Sequence, residues 1–268
     1  MTTVLNSQIQ QLIDVWKKTL GASCFPGVSD RACPVPFFGR IEQGTEKSLI
    51  FTLGENPSNR EFLKSNGNFL RNTRFPKVTE TFNYTSKELL DACMKYFDEN
   101  PYARWFGKDG GSKIEGLLNT STIDASYYGK KKHLAVHIDL MPFPTLCKFT
   151  TIQENQFFNL LIAAYGIPLI ARLIKEYEPK LVICISQYVC EALLDCEQRE
   201  NGVKYYYGNY GEVPFIGSSV YYPNSRISYN PSDVAIKMKS LVNNANANRK
   251  RTLHNCIDFG RLLEQHLK

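Results

Sequence analysis

Metal-binding cysteine spacing is missing from this chain. Its eight cysteines (Cys24, Cys33, Cys93, Cys147, Cys184, Cys190, Cys196 and Cys256) include no Cys-x-x-Cys pair, and none joins a histidine at zinc-finger spacing. A zinc or iron–sulfur site is therefore not expected, nor is any other cofactor. No apolar run approaches membrane-spanning length, and Met1-Thr2-Thr3-Val4-Leu5-Asn6 lacks the basic region and apolar core of a secretory leader. Low-complexity tracts are absent as well, which argues against disorder. These absences lead to the expectation of a reduced, cytoplasmic, monomeric protein with no membrane association.

What is present is a chain of 268 residues, 43% hydrophobic, enough for a substantial core. Its 32 basic and 26 acidic residues give a net charge of +6, and it carries 16 Phe and 15 Tyr. A modest positive excess suits a polyanionic partner without requiring one, and abundant aromatics suit stacking surfaces.

Apolar periodicity predicts a helix over 4–20, with Leu5, Ile9, Leu12, Ile13, Trp16 and Leu20 on one stripe. The Pro- and Gly-rich stretch 21–44 reads as a surface wrap. Strand candidates follow at 48–53, 134–140, 181–186 and 226–229. Helical patterns lie between and after them at 86–100, 113–118, 153–177 (broken at Gly166–Pro168), 187–194 and 233–242. Residues 220–222 and 226–229 could instead pair as a hairpin. Strands alternating with helices predict an α/β fold, a three-layer α/β/α domain around a short, mostly parallel four-stranded sheet. Residues 1–242 form that single domain with an N-terminal helical extension, and 243–268 form a polar linker and a C-terminal helix over 253–267.

Two turns stand out. Gly54-Glu55-Asn56-Pro57-Ser58 follows the first predicted strand, and Asn230-Pro231-Ser232 follows the last. In a parallel sheet, ligands bind beyond the carboxyl ends of the strands, so two polar turns there could face one pocket. Asn-Pro and Pro-Ser also favour plain turn initiation, which needs no chemistry.

The pattern resembles the uracil-DNA glycosylase superfamily, whose members place a Gly-x-(Asn/Asp/Ala)-Pro turn after the first strand and a (His/Asn)-Pro-Ser turn after the last. Gly54-Glu55-Asn56-Pro57 matches the first in its mismatch-specific and single-strand-selective form, and Asn230-Pro231-Ser232 matches the second in its mismatch-specific form. Val136-His137-Ile138-Asp139-Leu140-Met141-Pro142 resembles the base-reading strand, and 179–186 resembles the third strand. The resemblance spans roughly residues 48–238 and rests on motif order. It departs from the family in three ways. The ligands of the iron–sulfur branch are absent, Asn56 replaces the water-activating Asp, and Asp139 stands where Asn usually reads the base.

The resemblance implies a monofunctional DNA glycosylase that flips a pyrimidine and hydrolyses its N-glycosidic bond, leaving an abasic site. It implies that Asn56 positions the water and that Asn230 donates to the 2-carbonyl oxygen of the departing base. Glu55 is the neighbouring carboxylate. Ser58, Ser232, Asp233 and Val234 would contact DNA, the last two as a wedge in the vacated stack. Phe75, in Arg74-Phe75-Pro76, or Phe69 would stack on the base, and Arg74 would contact DNA. His137 shares a strand face with Asp139 and is either a substrate contact or a satisfied core histidine. Tyr102–Phe106 could line a DNA groove or be core, while Lys130–Lys132 and Arg249–Arg251 could contact phosphates or be solvated faces. No lysine is placed for a Schiff base.

Asp139 sharpens the substrate. An ionised carboxylate only accepts, which suits the 4-amino group of cytosine and repels the 4-carbonyl of uracil. If protonated in a dry pocket, it could instead donate to the cytosine ring nitrogen. The expected substrate is a modified cytosine in double- or single-stranded DNA, including hypermodified viral DNA, which would make the role antiviral defence. Two alternatives stay open: a uracil or mismatch glycosylase of DNA repair, and a nucleic-acid-binding module that kept the fold without catalysis. The structural alternative for Asp139 is a turn cap or a partner for arginine.

Overall fold

The structure is a computed structural model, and it describes residues 3–20, 27–41, 48–71, 74–76, 84–99, 101–107, 112–146, 156–194, 196–200, 202–219, 230–242 and 259–267. The predicted strand at 226–229, the hairpin with 220–222 and the basic run Arg249–Arg251 lie outside the described residues.

The sheet is larger than the sequence patterns predict. Among the described residues seven strands, not four, run in the order β2-β3-β1-β4-β7-β6-β5: β1 (Leu49–Gly54), β2 (Ala125–Ser126), β3 (His133–Asp139), β4 (Leu181–Cys184), β5 (Cys196–Glu200), β6 (Val203–Tyr210) and β7 (Val213–Ser218). Strands β2, β3, β1, β4 and β7 are mutually parallel, whereas β6 is antiparallel to both β7 and β5. The tyrosines Tyr205, Tyr206, Tyr207 and Tyr210 belong to β6. The missed signal is the Asn-Gly dipeptide at 201–202 of the sequence, a pair that favours hairpins when it falls between two strand-like runs.

β1 is buried along its whole length, as a central parallel strand covered on both faces must be. The chain leaves β1 toward β3 on one side and leaves β4 toward β7 on the other, so the β1–β4 boundary is a switch point. The loops there diverge and open a crevice beyond the strand ends.

The helices are α1 (Thr3–Val15, continued as a π-helical turn to Leu20), α2 (Ser86–Glu99), α3 (Ala103–Phe106), α4 (Lys113–Leu118), α5 (Gln156–Leu161), α6 (Ile167–Tyr177), α7 (Gln187–Leu193), α8 (Pro231–Val242) and α9 (Phe259–Leu267). The break expected at Gly166–Pro168 does not occur, because a π-helical turn at Ile162–Gly166 joins α5 to α6 and Pro168 falls in the first turn of α6. Gly166 is required there, since a Cβ would overlap the Leu140 carbonyl just beyond β3. The resulting 22-residue helix, mean hydropathy 1.8, is long and apolar enough to span a bilayer, contrary to the sequence reading; 61% of its apolar window is buried inside the protein. α9 docks on α6, α7 and β6 through Phe259 and Leu263.

The described part of the Pro-rich stretch, 27–41, is not a surface wrap. Val28, Ala32, Cys33, Val35, Phe37, Phe38 and Ile41 are buried. Phe38 exchanges backbone hydrogen bonds with His137 (2.7 and 3.0 Å), so the segment covers the edge of β3. Apolar side chains alternating with prolines can bury their bulk while the chain remains irregular.

Candidate functional site

A cavity of about 520 Å³ opens beyond the C-terminal ends of β1, β3 and β4. Glu55, Asn56, Pro57 and Ser58 come from the loop after β1, Asp139 and Thr145 from the end of β3 and its loop, and Ile185 and Ser186 from the loop after β4. Ladder-like bonds continue past the strands and hold these loops together: Leu140 N to Gly54 O, Met141 N to Glu55 O, and Ile185 N to Leu53 O, each 2.9 Å.

The sequence candidates Glu55, Asn56, Ser58, His137 and Asp139 all line this cavity. The Asn56 amide nitrogen donates to Thr145 Oγ1 (2.8 Å) and Pro57 O (3.0 Å). Its orientation is thereby fixed, and Oδ1 is the acceptor of the amide. Ser58 caps the short 3₁₀ turn Asn59–Glu61 by accepting from Arg60 N.

Asp139 is 3% exposed, and its Oδ1 lies 3.2 Å from His137 Nε2. His137 Nδ1 lies 2.9 Å from Thr52 Oγ1, which lies 2.6 Å from the Tyr127 hydroxyl. The alignment follows from register: Thr52 pairs with His137 and Gly54 with Asp139, two residues apart on one sheet face. A Cβ at Gly54 would overlap Asp139 Oδ1, so glycine is what leaves room for the carboxylate.

Sequence reasoning missed Glu61. It is 2% exposed, lines the cavity, and its Oε2 accepts from Tyr96 OH (2.8 Å) and faces Arg74 Nη1 (3.4 Å). Burial pushes its carboxyl up to about 7; Arg74 and Tyr96 pull it down, while Asp139 adds to the rise. Burial also raises the Glu55 carboxyl from its ordinary value, the Ser186 hydroxyl opposing and Asp139 adding. Glu61 carried no local signal, because its burial depends on Tyr96 and Arg74, distant in sequence. Thr52, the lone hydroxyl in the apolar run of β1, did carry one.

The remaining candidates lie elsewhere. Phe75 is buried and stacks between Phe62 (5.3 Å) and Tyr96 (5.6 Å). Phe69 is half-buried beneath the Arg31 guanidinium (4.6 Å). The aromatics that line the cavity are Phe38, Trp105 and Phe106. Arg74 is turned inward onto Glu61. Asn230 is exposed, caps α8 by accepting from Ser232 N (3.0 Å), and does not line the cavity. Ser232 and Asp233 are exposed, whereas Val234 is buried in α8, so projecting it as a wedge would require unpacking that helix. An exposed apolar side chain does stand at the cavity mouth: Leu146, 58% exposed.

Arg60 and Lys64 line the exposed edge of the cavity, above an acidic interior. Lys64 also means that a lysine does border the site. Lys130–Lys132 precede β3 and so lie at the opposite end of the sheet. Among the described residues, no three His, Cys, Asp or Glu side chains are grouped to hold a metal ion. No protein-family model matches this chain, and no curated protein matches it significantly.

Proposed function

We propose that this protein is a DNA glycosylase of the uracil-DNA glycosylase-like α/β/α type, acting in the cytoplasm on a flipped, modified cytosine. The observation that carries the reading is the placement of Asp139. It is a nearly buried carboxylate in a cavity that also holds Glu55 and the fixed Asn56 amide, under a rim bearing Arg60 and Lys64. A basic rim suits the sugar–phosphate backbone, and an acceptor-only group inside suits an exocyclic amine. A cavity of about 520 Å³ has room for a pyrimidine that carries a substituent.

In the reaction, the C1′–N bond breaks with its electron pair passing to the base, and a water oxygen bonds to C1′. Asn56 Oδ1 accepts a hydrogen bond from that water and orients it; an amide cannot take its proton. Glu55 and Glu61, both raised by burial, are the carboxyls that exchange protons with water and departing base. Asp139 accepts from the base amine.

A base-release assay tests the reading, using DNAs that contain uracil, cytosine, 5-hydroxymethylcytosine or glucosylated hydroxymethylcytosine, with alkali to reveal abasic sites. Release of a modified cytosine, abolished by Asp139→Asn, is expected. Release of uracil alone would return the protein to base repair. One observation favours a second reading: Asn230 is exposed at the start of α8 rather than in the cavity. A module that binds DNA without turnover would need no donor there, and tight binding with no base release would establish it.

A further inference from the structure

We infer that Tyr127, Thr52 and His137 form a one-way hydrogen-bond relay. It fixes His137 as the neutral Nε2–H tautomer and so holds Asp139 as an acceptor that selects an amine-bearing base. The selectivity rests on the glycosylase reading, whereas the relay stands without it.

The direction follows from counting hydrogens. The Tyr127 hydroxyl is buried, and Thr52 Oγ1, at 2.6 Å, is its only side-chain partner among the described residues. Its single hydrogen must therefore go to Thr52, or remain unsatisfied in the interior. Burial also pushes the phenol well above its usual ionisation range, so it keeps that hydrogen. Thr52 is wholly buried and also has one hydrogen. Having accepted from Tyr127, it donates to His137 Nδ1 at 2.9 Å. An Nδ1 that accepts leaves the ring proton on Nε2, which points at Asp139 Oδ1, 3.2 Å away. The reverse order would strand the Tyr127 hydrogen and set the Nε2 lone pair against a carboxylate.

The surroundings hold the relay rigid. Phe38 and Phe106 pack on the His137 ring at 5.3 and 5.0 Å. Glu115 anchors the far end, accepting from Ser126 Oγ (2.7 Å) and Tyr127 N (3.4 Å). With Oδ1 engaged by His137, Asp139 Oδ2 has no hydrogen-bond partner among the described residues and is available to the occupant of the cavity. A uracil-type carbonyl would meet an acceptor there, and a cytosine-type amine would be satisfied. Thr52, Tyr127 and His137 are thus positioning residues that act through Asp139.

The test is long-range proton–nitrogen correlation spectroscopy on the full chain labelled with ¹⁵N-histidine, His137 being assigned by its loss in His137→Gln. The expected spectrum has a protonated Nε2 and a bare Nδ1. A protonated Nδ1 or a doubly protonated ring overturns the relay, whatever the activity. Thr52→Val keeps the shape of the side chain and removes the hydroxyl, so the single-tautomer pattern is expected to be lost, and Thr52→Ser is expected to restore it. Should Thr52→Val fail to fold, the wild-type spectrum decides alone. In the base-release assay, preference for a cytosine-type base over uracil is expected to fall about tenfold in Thr52→Val and recover in Thr52→Ser. An unchanged preference in a folded Thr52→Val overturns the selective role. The expected tautomer in a protein that releases no base would keep the relay and sink the glycosylase reading.

Discussion

Gly54 lies opposite Asp139 in the β1–β3 register, and a methyl group at residue 54 would overlap the Asp139 carboxylate and crowd the His137 ring, whose Cε1 would be 2.8 Å away. Both obstacles are buried and sit on one rigid strand, so neither yields cheaply. Gly54→Ala is expected to cost about 1–3 kcal/mol of stability through overpacking and to abolish ligand binding in the cavity. Urea denaturation and base release check the two effects, and full activity in Gly54→Ala would refute the placement of Asp139.

Glu61 predicts a pH dependence of stability. Its carboxyl is raised from 4.5 to about 7 in the folded protein, so the folded state holds that proton more tightly than the unfolded chain. The contribution is fully present below pH 4.5 and is lost as pH rises through about 7. Glu61→Gln, which cannot ionise, is expected to remove this loss, on the order of 3 kcal/mol across that window. Denaturation midpoints of both proteins across the window measure it; parallel curves would refute the raised carboxyl.

Charge placement separates two basic groups. Arg60 and Lys64 edge the cavity, whereas Lys130–Lys132 lie at the other end of the sheet. Removing either rim charge is expected to weaken DNA binding and lower the slope of log affinity against log salt by about 1. Replacing Lys130, Lys131 and Lys132 together by alanine is expected to leave that slope unchanged. The opposite result would move the DNA to the far end of the protein.

Leu146 projects into solvent at the cavity mouth, while Val234 is packed inside α8. An apolar side chain inserted between base steps helps only where a stack has to be opened. Leu146→Ala is therefore expected to slow base release from duplex DNA and spare release from a single strand. Equal loss on both substrates would remove the wedge role.

Lys64 bears on whether the strand is cut. It is exposed at the cavity edge rather than enclosed beside the reacting bond, where an amine that forms a Schiff base has to sit. Borohydride added during turnover is expected to trap no protein–DNA adduct. An adduct that disappears in Lys64→Ala would give the protein a strand-cleaving lyase step.

Local pattern determined a good part of this protein. β1, β3 and β4 were legible because a strand buried on both faces is a short apolar run, and α2 and α4 because their apolar residues recur at the helical period. Glu55, Asn56, Ser58, His137 and Asp139 were legible as a group because parallel strands deliver their C-terminal loops to one end. The tertiary structure decided what depends on distant partners. The burial of 27–41 is decided by the open edge of β3, and the inward turn of Arg74 by Glu61. The separation of Asn230 from the cavity and the chain from Tyr127 to Asp139 are likewise products of the assembled sheet. A hydrogen bond between residues 75 or 85 positions apart, as Thr52 makes with Tyr127 and His137, leaves no periodicity in the sequence, because its geometry exists only once strand register brings the two residues together.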